Sequence, residues 1–163
     1  VGLAQIKKLD TFLAIQKKNH TALKNALAQI PEVSFRRIPD ESGDSCTFLS
    51  WFLPTEEATK AVVAELKARN ILAGNFYWFV NNWHYISKWD HLKNAVTLNS
   101  LHPDLKAAVI HHATKDFGAS DAIMSRCIST AIGLTWTDEQ LKTKCDQMVA
   151  VIQKVLSELK VAL

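Results

Sequence analysis

From Leu3 to Ile30 the apolar residues Leu3, Ile6, Leu9, Leu13, Leu23 and Leu27 recur at separations of three and four or their sums, and Lys7, Lys8, Lys17, Lys18 and Lys24 fill the other faces. That period belongs to one stripe of an α-helix, so the pattern predicts a single long amphipathic helix that Pro31 ends. A short strand from Val33 to Ile38 is expected next, followed by a polar turn, Pro39-Asp40-Glu41-Ser42-Gly43-Asp44. The run Thr47-Phe48-Leu49-Ser50-Trp51-Phe52-Leu53 is aromatic and mostly apolar, which predicts a strand buried on both faces.

Pro54-Thr55-Glu56-Glu57 reads as a helix start, with a hydroxyl at the cap and two carboxylates over the positive end of the dipole. The helix should run to Arg69, carry Val62, Val63 and Leu66 on its inner face, and stop at Asn70. Ile71 to Phe79 reads as a third strand interrupted by Gly74, and Trp83 to Leu92 as a short helix or an ordered loop. A loop at Leu98–Ser100 precedes a helix from Pro103 to His112, which has Pro in its first turn. Phe117-Gly118-Ala119 should break that helix, Ser120-Asp121 should cap a short helical turn through Arg126, and Cys127 to Ile132 fits a final strand. Thr137-Asp138-Glu139-Gln140 has the form of a capping box. The helix behind it aligns Leu141, Cys145, Met148, Ile152, Val155 and Leu159. This order of elements predicts an α+β fold, a small antiparallel sheet packed against helices and led by the long N-terminal one.

Composition narrows the class. With 163 residues, 48% of them apolar and 21% charged, the chain is the size of one globular domain that buries a core without staples. No run approaches the roughly 18 uncharged apolar residues of a membrane span, so no membrane partner is expected. A balance of 19 Lys+Arg against 16 Asp+Glu, scattered along the chain, gives no basic stripe for nucleic acid. Cys46, Cys127 and Cys145 are odd in number and widely spaced, which points to reduced thiols and a cytoplasmic setting. The sequence opens on Val1-Gly2-Leu3, without an initiator Met and already inside the helical repeat, and so reads as a piece of something longer.

No phosphate-cradling glycine loop, nucleophile elbow or zincin motif occurs. The strongest local anomaly is the run Phe76-Tyr77-Trp78-Phe79-Val80-Asn81-Asn82-Trp83-His84-Tyr85, followed by Trp89 and His91. Ring faces beside amides and an imidazole suit a polar, ring-shaped ligand such as a sugar, by stacking plus hydrogen bonding. The same run suits a strand entering a loop that packs its own aromatics, and both readings stand at this point. His102, His111 and His112 lack the i,i+4 spacing of a helical metal pair, and adjacent helical residues point about 100° apart, so no metal site is expected there. Ser120-Asp121 with Ser125-Arg126 is either a cap beside a surface guanidinium or a place where Arg126 holds a carboxylate or phosphate bidentately. Cys127, in an apolar run with no base near it in sequence, reads as core.

Four segments carry a resemblance. Gly2-Leu3-Ala4-Gln5-Ile6-Lys7-Lys8-Leu9-Asp10 resembles the start of the long helix that joins the large and small domains of DegT/DnrJ-type sugar aminotransferases. The segment Ile30–Arg36, the block Tyr77–Tyr85 and Ser120-Asp121-Ala122-Ile123-Met124-Ser125-Arg126 resemble the branch that acts on an octulosonate sugar acid of bacterial lipopolysaccharide. The resemblance runs from Val1 to about Leu159 and is weak between Leu92 and Lys115. It implies the C-terminal small domain of a pyridoxal-phosphate enzyme, spanning 1–163, with 1–30 as the inter-domain helix and the large cofactor domain absent. The family's active lysine and the aspartate on the pyridinium nitrogen would lie before Val1, since no lysine here sits in the matching context. It further implies glutamate and a keto-sugar as substrates of the parent enzyme, a homo-oligomer, and no catalytic residue on this chain. Carried over by position, His84 would hydrogen-bond the sugar, Tyr77, Trp78 and Asn82 would line it, and Arg126 would meet a carboxylate.

Two rivals come from other classes. One is a stand-alone binding module for a sugar or a protein that reuses this fold without chemistry. The other is a hydrolase using Cys127 with a distant histidine. With a large domain absent, apolar surface on the first helix around Leu3, Ile6 and Leu9 should be uncovered and favour self-association.

Overall fold

A computed structural model describes residues 2–71, 74–80 and 85–161. The chain forms two units, Val1–Phe76 with Arg126–Leu163, and Tyr77–Ser125.

The first unit is built on a four-stranded antiparallel sheet. Its strands are β1 (Ser34–Phe35), β2 (Phe48–Phe52), β3 (Asn75–Phe76) and β4 (Cys127–Ala131), in the order β1-β2-β4-β3. The last strand in sequence is thus central, with Trp51 opposite Ile128 and Asn75 opposite Thr130. Because side chains alternate along a strand, Leu49, Trp51, Ile128 and Thr130 share one face, and all four are buried. The opposite face of β2 is not buried as the apolar run suggests: Phe48 is 44% exposed, with its ring edge-on to Phe76 at 6.2 Å. One covered face is the usual state of a small antiparallel sheet. The outer strands are shorter than the sequence pattern predicts. β1 pairs through only two residues, and Gly74, at φ +83°, turns the chain just ahead of β3.

Helices α2 (Leu9–Leu27), α3 (Glu56–Ala68) and α7 (Asp138–Val161) close the core, in which Leu23, Leu27, Val62, Leu66, Met148 and Ile152 are fully buried beside the sheet. α3 starts where expected, with the Thr55 hydroxyl accepting from Ala58 N at 3.1 Å, and it ends before Asn70, whose φ is +57°. α7 opens with both halves of a capping box: Thr137 N donates to Gln140 Oε1 (3.0 Å) and Gln140 N to Thr137 Oγ1 (3.2 Å). The first helix is not continuous. A turn at Lys7-Lys8 separates α1 (Gly2–Ile6) from α2, and Leu3 and Ile6 are 71% and 68% exposed. With no core contact along α1, nothing holds its hydrogen-bond ladder in line with the buried part of α2.

A polar chain crosses the sheet inside this core. Trp51 Nε1 donates to Thr130 Oγ1 (3.0 Å), Thr130 donates to Asn75 Oδ1, and Asn75 Nδ2 donates to the Ile71 carbonyl (3.1 Å). Buried polar groups need partners, and this chain satisfies each in turn.

The second unit holds two 3₁₀ turns, Trp78–Val80 and Ile86–Lys88, and three helices, α4 (Asp90–Lys93), α5 (Pro103–Ala113) and α6 (Gly118–Met124). α6 begins at Gly118, whose N–H is taken by the Asp116 carboxylate at 2.7 Å. Ser120 and Asp121 therefore lie inside this helix rather than capping it, and the helix stops at Met124, short of Arg126.

Candidate functional site

Part of the aromatic block is buried within the second unit. Tyr77, Phe79 and Tyr85 are buried, with ring centroids 6.2 Å apart for Tyr77–Phe79 and 6.0 Å for Phe79–Tyr85. Both buried hydroxyls find partners, as such groups must. Tyr77 donates to the Ser125 carbonyl at 2.8 Å, and Tyr85 donates to the Asp121 carboxylate. Burial, reinforced by the bond to Asp121, pushes the Tyr85 phenol above its ordinary value. The Lys88 ammonium sits 4.1 Å from the Phe79 ring centroid, a cation–π contact. Trp78 and Trp89 are half-buried, and Trp89 lies beside His91 at 6.1 Å. Asn82 and His84 lie outside the described residues, as do Asn81 and Trp83.

Arg126 belongs to the first unit, immediately ahead of β4. It is half-buried, and its carbonyl accepts from Leu53 N at 3.1 Å, extending the β2–β4 pairing. Cys127 follows at 8% exposure. Burial raises its thiol pKa, outweighing the opposing hydrogen bond from Ser129 and the charge of Arg36. That thiol is held protonated at neutral pH, the wrong state for a nucleophile.

Two clefts open on the first unit. A cavity of about 670 Å³ is lined by Asn70, Ile71, Trp136, Glu139, Gln140 and Lys144, among others. The Lys144 ammonium lies 5.3 Å from the Trp136 ring centroid, and burial lowers its pKa below the ordinary lysine value. The second cleft, about 430 Å³, lies between α2 and the loop ahead of β2 and contains His20, Asp44 and Cys46. Sequence reasoning passed over this trio. The available signal was His20 itself, an imidazole three and seven residues before Leu23 and Leu27 on the buried stripe of α2. The histidines weighed for metal lie elsewhere: His102 accepts from Asp104 N at 3.4 Å, and His111 and His112 are exposed, edge-on to each other.

Residues 1–101, well over half of the 163, match the profile of the DegT/DnrJ/EryC1/StrS aminotransferase family. Among solved structures the chain is similar to the crystal structure of 3-amino-5-hydroxybenzoic acid synthase, at 20% identity and a TM-score of 0.59. The likeness covers 93% of this chain and 37% of that one, so this chain spans little more than a third of that protein's length. At such identity the likeness is one of fold, and it agrees with the α+β architecture described above. Among the described residues no helix is long and apolar enough to cross a membrane.

Proposed function

The chain belongs to the DegT/DnrJ/EryC1/StrS aminotransferase family, and from that membership we propose that it is the C-terminal small domain of a pyridoxal-phosphate sugar aminotransferase. The parent enzyme would move an amino group from glutamate to a keto-sugar, an octulosonate-like acid of lipopolysaccharide synthesis, in the cytoplasm and as a homodimer. This domain would cover the substrate and support subunit pairing. The observation that carries the proposal is the extent of the fold match: nearly all of this chain corresponds to 37% of a much longer relative.

The cleft that holds Lys144 does not suit the cofactor. Pyridoxal phosphate supplies an electron sink when bound, and it requires an amine, a carboxylate facing the ring nitrogen, and donors for a dianionic phosphate. Among the described lysines, Lys144 has its charge disfavoured by burial. Among the described residues it is, however, the one cation lining its cleft, so using its amine would leave no cation for the phosphate. These residues do not fit the cofactor, and no chemical step is assigned to them. In the proposal, His84 hydrogen-bonds the sugar, Tyr77, Trp78 and Asn82 line it, and the Arg126 guanidinium takes a carboxylate in a forked pair. Exposed Leu3 and Ile6 on α1 and Leu9 at the start of α2 support docking of this segment on the large domain.

The coding sequence upstream of Val1 tests the proposal. An in-frame large domain carrying a lysine in the family's cofactor-attachment context is expected. A start codon immediately upstream would overturn it and leave a stand-alone binding module.

A further inference from the structure

His20, Asp44 and Cys46 come from segments well separated in sequence, the fourth turn of α2 and the loop between β1 and β2, yet their side chains converge. One imidazole nitrogen, one carboxylate oxygen and the Cys46 Sγ all lie within 4.8 Å of one another. His20 is 6% exposed and its Nε2 is buried without a hydrogen-bond partner. Asp44 Oδ2 is in the same condition, whereas Oδ1 is engaged by the Cys46 N–H at 3.1 Å. The convergence thus brings a thiol close to an imidazole and a carboxylate, and His20 Nε2 and Asp44 Oδ2 have no hydrogen-bond partner among the described residues. Unsatisfied buried acceptors are rare and ask for an ion or a donor.

From this convergence we infer that the cleft between α2 and the β1–β2 loop is a binding site for a divalent transition ion of the zinc class, held by His20, Asp44 and Cys46. The donor set of imidazole, carboxylate and thiolate is one that zinc accepts. Three protein ligands leave a fourth tetrahedral position open to the 430 Å³ cleft. Ligand atoms around tetrahedral zinc lie about 3.3–3.7 Å apart, given bonds of about 2.0–2.3 Å. Metal binding therefore requires the trio to draw in by about an ångström.

Charge balances as well. Cys46 is a free cysteine and enters the site as a thiol. On binding, the S–H bond breaks, the proton leaves to solvent and the S–metal bond forms. Dication, thiolate and carboxylate then sum to zero. The neighbouring Lys17 and Lys24, the latter 3.8 Å from Glu41, consequently meet a neutral cluster rather than a bare cation. The ion would pin the β1–β2 loop to α2, a role independent of the proposed part in amino transfer.

The test uses the full chain, stripped with a chelator and titrated with Co²⁺, then Zn²⁺. The expected result is one equivalent of Co²⁺ giving a near-ultraviolet thiolate-to-cobalt charge-transfer band and intense visible bands of tetrahedral coordination, all lost on adding Zn²⁺. Cys46→Ser should abolish the charge-transfer band. Asp44→Asn, at a half-exposed loop position where folding is least at risk, should weaken Co²⁺ binding by about tenfold or more. Circular dichroism of each variant confirms that it folds. Absence of the band in the wild-type chain, its survival in Cys46→Ser, or unchanged affinity in folded Asp44→Asn would each overturn the assignment.

Discussion

Thr130→Val is the sharpest probe of the sheet. Thr130 is fully buried, accepts from Trp51 Nε1 at 3.0 Å and donates to Asn75 Oδ1, so one hydroxyl satisfies groups on both neighbouring strands. Valine has the same outline and neither function. It leaves the indole N–H and the Asn75 carbonyl oxygen without partners in the core. Each such group costs about 1–3 kcal/mol, and the added methyl returns about 1 kcal/mol. Two orphaned groups less the methyl give an expected net loss of about 1–5 kcal/mol, centred on about 3 kcal/mol. Thr130→Ser keeps the hydroxyl and removes one buried methyl, for a loss of about 1 kcal/mol. Urea unfolding followed by circular dichroism at neutral pH measures both. A double variant with Trp51→Phe, in which one orphaned donor is gone, should cost less than the sum of its single changes. If valine is tolerated as well as serine, the hydroxyl is not the hub of this network and the reasoning fails.

Three further outcomes follow from the same structure. Thr137→Ala removes the hydroxyl that accepts from Gln140 N and breaks the α7 capping box, so it should lower stability by about 1 kcal/mol in a thermal or urea melt. Because burial raises the Cys127 thiol above its ordinary 9.0, the folded chain holds that proton while the unfolded chain loses it. Stability from this group is fully present below pH 9.0 and is lost as pH rises through the folded value, at no more than about 1.4 kcal/mol per pH unit. Urea melts between neutral and alkaline pH should show this decline, and Cys127→Ala should make it shallower. Leu3, Ile6 and Leu9, 71%, 68% and 48% exposed, should drive association of the isolated chain. Light scattering should report oligomers that Leu3→Glu with Ile6→Glu disperses, and a clean wild-type monomer at high concentration would contradict this.

Local signals were legible in the sequence wherever chemistry and period agreed. Thr55 and Thr137 mark two helix starts because a hydroxyl at the cap satisfies a free N–H, and Asn70 stops α3 because it tolerates φ +57°. What the pattern lacked was long-range pairing. Nothing in the local sequence says that β4 lies between β2 and β3, and this pairing decides that Phe48 and Phe52 line the less buried face. The turn at Lys7-Lys8 is equally silent, since the helical period continues through it and only the missing core contact of α1 distinguishes the two pieces. In the aromatic block, composition showed a concentration of rings without showing that Tyr77 and Tyr85 spend their hydroxyls on Ser125 and Asp121. The trio His20, Asp44 and Cys46 depends on a loop folding back onto a helix, which no spacing rule encodes.

The proposed division of labour, a covering domain without the cofactor's lysine, meets its most direct test in pyridoxal phosphate itself. The chain is incubated with one equivalent, reduced with borohydride and weighed intact by mass spectrometry, with peptide mapping of any adduct. The expected result is an essentially unmodified mass, with only traces of label spread over exposed lysines. One pyridoxyl group per chain at a single lysine, above all at Lys144 beneath Trp136, would contradict the account.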